Sequence, residues 1–268
     1  MNIAHSIALP RRVFGITVAL ALCACNQQPV AASGTSPGAP NANGYEVVLE
    51  TKPEKIAAYV GRVKSFYDLC VASAQAQNLP VKPFVTPPVD YVITRETYLS
   101  DGKNFFEKTE NFDLDVAAML PESQCATQIA PNSTTKVWRD GLYQTEQVER
   151  GGAPVITPPV KQLMANGARS SRTMPYTQRQ TVAGIALRCL PQESAVIQSG
   201  AMLASCIFDG ANDTTLLNAA GKPITLHARI PSNETDPQFA SVSVITPKTV
   251  MTGRAIAAGR FALTGAGQ

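Results

Sequence analysis

Cysteines carry most of the chemistry that this sequence offers. Of six in the chain, two (Cys23 and Cys25) lie near the amino terminus, and Cys70, Cys125, Cys189 and Cys206 are widely spaced beyond it. None of these four has the Cys-X-X-Cys spacing of a redox centre or the clustered spacing of a zinc site. An even number of separated cysteines in an oxidising compartment reads as two disulfides. Four cysteines allow three pairings, of which we favour the sequence-local one, Cys70–Cys125 with Cys189–Cys206. In the loop-entropy account each would contribute roughly 3–4 kcal/mol.

Acid–base chemistry has fewer candidates. Of two histidines, only His227 lies beyond the first 25 residues. It alternates with Thr225 and Arg229 on the polar side of an apolar run. A general base needs a placed nucleophile, and residues 45–268 contain no Gly-X-Ser-X-Gly elbow. His227 therefore reads as a sheet residue, and several-histidine metal sites are excluded by count. The acids Glu107, Glu110, Asp113 and Asp115 lack the ligand spacing of an EF-hand and read as a solvated hairpin. Neither a cofactor nor a metal is expected, and no catalytic residue is assigned. Trp138, two residues before a turn signal, reads as packing across a hairpin with Tyr143. The loose basic group Arg169, Arg172 and Arg179 reads as solvated surface.

The amino terminus says how the cysteines are to be read. Arg11 and Arg12 precede the apolar run Val13 to Leu22, and no acid occurs in the first 25 residues. That run is shorter than the roughly 20 residues that span a bilayer and has the form of an export signal. Leu22-Cys23-Ala24-Cys25 resembles the bacterial lipobox, Leu-(Ala/Ser)-(Gly/Ala)-Cys. The resemblance implies that residues 1–24 are a signal peptide and that Cys25 is acylated, with chains such as palmitate, and becomes the first residue. Each buried CH₂ adds about 0.8 kcal/mol of membrane attachment. Asn26, where an Asp would retain the protein at the inner membrane, implies an outer-membrane anchor facing the periplasm. Loss of Arg11 and Arg12 lowers the formal net charge from +3 to +1. Nucleic-acid binding, which needs a basic face, is set aside.

Residues 25–44 are the anchor and a Gly/Pro/Ser/Ala-rich tether with no apolar period. Residues 45–268 are expected to form a single periplasmic domain. Tyr45 to Glu50 has strand composition. Thr51 and Glu54 match a capping box with Pro53 in the first turn. From there Ile56, Tyr59, Val60, Val63, Phe66, Tyr67, Cys70, Val71 and Ala74 recur at helical spacing, predicting one long amphipathic helix. The proline-rich stretch Asn78 to Val89 ends it. Two Asp-Gly hairpins follow, Tyr91–Tyr98 with Phe105–Phe112 and Lys136–Arg139 with Leu142–Val148. Val116–Leu120 is a short piece of either type, Gly151–Pro159 a loop and Val160–Ala165 a brief helix. The last third reads as an antiparallel meander: 180–183, 185–190, 205–208, 215–218, 224–230, 240–245 and 255–263.

Within it, Thr181-Val-Ala-Gly-Ile-Ala-Leu-Arg-Cys189, Ser205-Cys-Ile-Phe208 and Gly221-Lys-Pro-Ile-Thr-Leu226 resemble the strand openings and steps of the bacterial lipoprotein carrier and receptor (LolA/LolB-like) superfamily. That resemblance covers roughly residues 176–263. It implies a curved antiparallel half-barrel over helices that holds acyl chains in its apolar concavity. The expected fold is therefore α+β: a curved antiparallel sheet packed against one long amphipathic helix, with two disulfides. The expected function is a lipid-anchored, non-enzymatic binding protein that holds an acyl chain or other apolar ligand between sheet and helix. The alternative is a protein–protein role, as an envelope assembly component or a toxin-neutralising immunity protein.

Overall fold

The computed structural model describes residues 44–116, 125–162, 175–211, 214–233 and 240–264. The signal-peptide and tether expectations fall on residues 1–43, outside the described residues, as do Arg169 and Arg172. The chain divides into two units, 1–37 and 38–268, and all that follows concerns the second.

Strand β1 (Gly44–Pro53) is the middle of the molecule. It pairs antiparallel with β14 (Val242–Arg254) on one side and with β2 (Thr94–Ser100) on the other. Beyond β14 runs a meander of β13 (Thr225–Pro231), β12 (Ala204–Phe208), β11 (Ile185–Cys189) and β10 (Gln178–Val182). Beyond β2 lie β3 (Phe105–Asn111), β6 (Asn132–Arg139), β7 (Leu142–Val148) and the short edge pieces β8 (Val155–Ile156) and β9 (Val160–Lys161). Twelve strands thus form one open antiparallel sheet, and β4 (Leu114–Val116) with β5 (Thr127–Ile129) form a second, two-stranded one.

The turns are those that the residue types demand. Asp140 and Gly141 both have positive φ, 53° and 77°, which matches the twist of the β6–β7 hairpin. Asp101 Oδ1 accepts the backbone N–H groups of Lys103 and Asn104 at 2.8 and 2.7 Å, closing the β2–β3 turn. Gly44 is required by space, since a Cβ there would stand 2.2 Å from the Arg254 carbonyl oxygen.

Both sheet faces are apolar near the middle. One buries Tyr45, Val47, Leu49, Leu187 and Leu226, covered by Leu216 and Ile224 from the connection between β12 and β13. On the other, Leu99, Val137 and Phe106 are covered by Ile256, Phe261 and Leu263 from the chain after β14. Cys189 and Cys206 face each other in register across β11 and β12, at disulfide distance.

Several expectations are corrected. Thr51 does not cap a helix. Thr51 to Pro53 prolong β1, where Thr51 pairs with Thr94 and Ile245, and these two-sided ladder bonds outweigh a local cap. The Glu54 carboxylate binds Arg229 at 2.8 and 2.9 Å instead. Helix α1 begins at Ile56 and runs to Ala76, with Lys55 at its N-cap position. Asn78, at φ 54°, turns the chain out of it.

The single apolar stripe expected of α1 is not what it presents. Tyr59, Val63, Cys70 and Ala74 are buried, whereas Phe66 and Leu69 are 52% and 64% exposed. The helix also does not cover the large sheet. It packs on β4 and the proline-rich stretch through Tyr59, Val63, Tyr91 and Leu114, and through Tyr67, Leu79 and Val81 around Cys70–Cys125. Cys70 and Cys125 are at disulfide distance, 55 residues apart in sequence. The half-barrel over a helix thus reduces to an open sheet with a separate helix module.

Elsewhere, part of the expected loop 151–159 is β8, and the expected helix at Val160 begins as β9. The expected strand at 215–218 is a single bridge, Leu217 to Pro223. The expected strand 255–263 is a strap containing a 3₁₀ turn, Ala258–Arg260.

Because the helix module has its own small core, Cys70–Cys125 should stabilise it locally. Replacing both cysteines with Ser should lower stability by about 4 kcal/mol, the loop-entropy value for this separation. Amide exchange would speed up in Ile56–Ala76 and stay slow in β1, β2 and β14; uniform acceleration would contradict a separate module.

Candidate functional site

The strap Ala255–Thr264 occupies its sheet face as an extended ligand would. Phe261 and Leu263 are 1% and 6% exposed against Leu99, Val137 and Phe106. Two polar clamps hold it. The Arg260 guanidinium donates to both Glu46 carboxylate oxygens, at 2.8 and 3.0 Å. The Thr264 hydroxyl donates to Glu146, a buried residue on β7. Between strap and sheet remains a cleft of about 90 Å³ lined by Val137, Arg139, Leu142, Gln144, Phe261 and Leu263. Its lining side chains are apolar apart from those of Gln144 and Arg139, and the Arg139 guanidinium stands 3.8 Å from Asp140. Such a site can take a small apolar group, with Arg139 the one cationic residue in its lining.

Sequence reasoning missed this site. The alternation of Phe261 and Leu263 was legible, but it reads as a strand, and only Gly259 before it hints at a bend. Arg139 and Leu142 flank a turn signal, where an exposed pair looks unremarkable.

The residues singled out from sequence are placed as follows. His227 Nδ1 is 2.8 Å from the Ile245 carbonyl oxygen. A carbonyl can only accept, so Nδ1 carries the proton and ties β13 to β14. Glu107 and Glu110 lie on opposite faces of β3. Glu107 accepts from the Ala219 N–H at 3.0 Å and Glu110 pairs with Lys108 at 2.9 Å. Asp113 follows β3, and Asp115 is on β4. Glu107 and Glu110 are thus held apart, and no metal-type cluster occurs among the described residues. Arg179 pairs with Asp209 at 3.0 Å. Trp138 and Tyr143 are in register, ring centroids 4.8 Å apart, so the tryptophan packs across its hairpin. A Gly-X-Ser-X-Gly spacing does occur at Gly34 to Gly38, outside the described residues.

Two carboxylates near β1 are tuned in opposite directions. Burial disfavours the charge of Glu50, 8% exposed, but hydrogen bonds from Lys248 and Arg95 outweigh it and lower its pKa. Lys248 reaches Glu50 at 2.8 Å from a bulge in β14, where Val48 pairs with Thr249 and Leu49 with Pro247. For Glu96, burial raises the pKa and dominates a hydrogen bond with Tyr98, and Glu107 repels its charge further. Burial likewise raises the pKa of Tyr98 and Tyr45, with Glu96 and Glu107 respectively adding to the rise. The Tyr45 hydroxyl donates to the Leu217 carbonyl at 2.5 Å. This patch is covered by the Leu217–Ala219 segment and is structural.

The signs of these shifts give opposite outcomes. Glu50 has a lowered folded pKa, so its stabilisation is present above the ordinary value of 4.5 and fades as pH falls through the folded value. Glu50→Gln should therefore lose about 1–2 kcal/mol at pH 7, its cationic partners being partly solvated, and little near pH 3. Glu96 has a raised folded pKa, so its favourable contribution is full below 4.5 and is lost as pH rises. Glu96→Gln should raise the melting temperature at pH 7 and leave it unchanged near pH 3. Thermal melts of both variants across pH check the pair.

Compared with known proteins, the chain matches no family model, no curated protein and no solved structure.

Proposed function

We propose that the chain is a lipid-anchored binding protein at the periplasmic face of the bacterial outer membrane, without enzymatic activity. Its ligand is the end of an acyl chain or a similar apolar group, held in the cleft under the strap. The cleft under the strap, with Arg139 in its lining, is the observation that carries this reading. The reading is supported at the space between strap and sheet, and not between helix and sheet, because helix α1 packs away from the large sheet. About 90 Å³ corresponds to about three water volumes of ~30 Å³ each. That suits the last few carbons of a chain and is below the ~300–1,000 Å³ of a drug-sized pocket. A longer chain requires the strap to lift, releasing the Arg260 and Thr264 clamps.

A second reading, docking of an envelope protein partner, has its own observation. Edge strand β10 exposes Gln178 to Thr181 and contains no proline. The opposite edge is interrupted by Pro158 and Pro159 between β8 and β9, which blunts it against strand addition. A partner strand would therefore add to β10.

Native mass spectrometry of protein purified without detergent tests the first reading. Bound mass in the lipid range, released on denaturation, is expected, and Leu142→Trp, which fills the cleft from its rim, should weaken fatty-acid binding at least about ten-fold. An empty protein that ignores added fatty acids would overturn it, and photo-crosslinking from Thr181 would then test the second. Mass analysis of the amino-terminal peptide tests acylation of Cys25 separately.

A further inference from the structure

The two ends of the sheet differ in how their cations are partnered. Strand register brings Gly44, Arg254, the Asp101–Asn104 turn and the Asp140–Gly141 turn to one end, and Lys161 joins them by pairing with Leu142. This end displays four exposed cations, Lys103, Arg139, Lys161 and Arg254. Among the described residues Lys103, Lys161 and Arg254 make no ion pair. Its two turn acids offset them only in part. Asp101 accepts the backbone N–H groups of Lys103 and Asn104, and with Asp140 it leaves two of the four cationic charges unmatched. Asp140 stands 3.8 Å from Arg139, both largely in solvent. Arg260 is matched by Glu46 and adds no net charge. Leu142 and Val160 stand 41% and 52% exposed among these cations, and the cleft under the strap is lined by Arg139 and Leu142 from the same end. At the opposite end the charges are mixed and largely matched: Asp90, Asp113 and Glu149 stand with Lys55 and Arg150, Glu54 is paired with Arg229, and Glu50 with Lys52 and Arg95.

The chain also enters the sheet at the basic end. Gly44 is the first residue of β1 and lies against Arg254, Ser100 and Ile256.

We infer that the sheet end formed by Lys103, Arg139, Lys161 and Arg254 docks on anionic phospholipid headgroups, with Leu142 and Val160 at the headgroup boundary and the strap cleft opening towards the bilayer. The inference rests on the anchored, lipid-binding reading for its biological setting, and the docking itself stands on the charge and apolar pattern of this end. Each of the four cations would raise binding roughly five-fold.

The chain carries one tryptophan, Trp138, adjacent to Arg139, which serves as the reporter. The full protein carrying Cys25→Ser is mixed with vesicles of phosphatidylcholine alone or with phosphatidylglycerol, a fraction of the lipid being brominated. Co-sedimentation and Trp138 quenching are read at low and high salt. Both are expected only with phosphatidylglycerol, to be reversed by salt, and to fall roughly five-fold per charge in Lys103→Gln, Arg139→Gln, Lys161→Gln and Arg254→Gln. Equal binding to the two vesicle types, or binding that the four substitutions together leave unchanged while Lys55→Gln and Arg150→Gln reduce it, would overturn the inference. Because Cys25→Ser removes any acyl group, absence of acylation in the parent protein would sink the anchor reading and leave this result standing. An unaltered far-ultraviolet spectrum and melting temperature identify variants that fold.

Discussion

The double pairing of β1 is the interaction on which the large sheet depends. Without it the molecule is two separate meanders, β10 to β14 and β2 to β8, each with a bare edge. With it, Val47 and Leu49 at 0% and 1% exposure join an apolar layer that reaches Leu187 and Leu226 on one meander and Tyr98 on the other. Backbone hydrogen bonds contribute modestly each, but an unpaired buried ladder is expensive, so the strand is held as a unit. Glu50 adds a charged fastening of the same kind, receiving Arg95 from one meander and Lys248 from the other. The bulge at Lys248 exists where that side chain must be redirected.

Against this sheet, the helix module is almost an appendage. Its residues bury against one another and against the short β4–β5 pair, with Tyr59 accepting the Leu114 N–H at 3.2 Å and Tyr67 donating to the Lys82 carbonyl at 2.5 Å. A helix of 21 residues with only four buried side chains has little area to hold it. That explains why a cysteine sits on its buried side: Cys70–Cys125 ties it to the start of β5 where packing is thin. Cys189–Cys206 performs a different task, joining two strands already paired near the polar edge of the sheet.

What was legible in the residues follows the reach of each signal. The Asp140-Gly141 turn and the flanking alternation are local, and β7 forms over the residues expected of it. The order of the carboxy-terminal meander is nearly local too, since each strand pairs with the next. Thr51, Pro53 and Glu54 spell a helix start, and only the distant partners Ile245, Ser243 and Arg229 make them a strand end. The strap was misread for a related reason. Phe261 and Leu263 alternate as in a strand, yet the face that receives them belongs to β2, β3 and β6, and no local pattern says whether such a segment pairs at an edge or lies across a face. The cleft inherits that obscurity, being made wherever the strap happens to fit loosely.

The central strand β1 and its neighbour β14 come from opposite ends of the described domain. Lys248 and Glu50, which meet at β1, are 198 residues apart in sequence. A chain that emerges amino terminus first presents β1 early and its partner β14 almost last, so the central ladder cannot close until nearly the whole polypeptide is out. Closing so long a loop is slow, because its entropy is lost before the contacts form. For a chain threaded unfolded through a narrow channel this is an advantage: the fold is withheld by its own topology until the channel has been cleared.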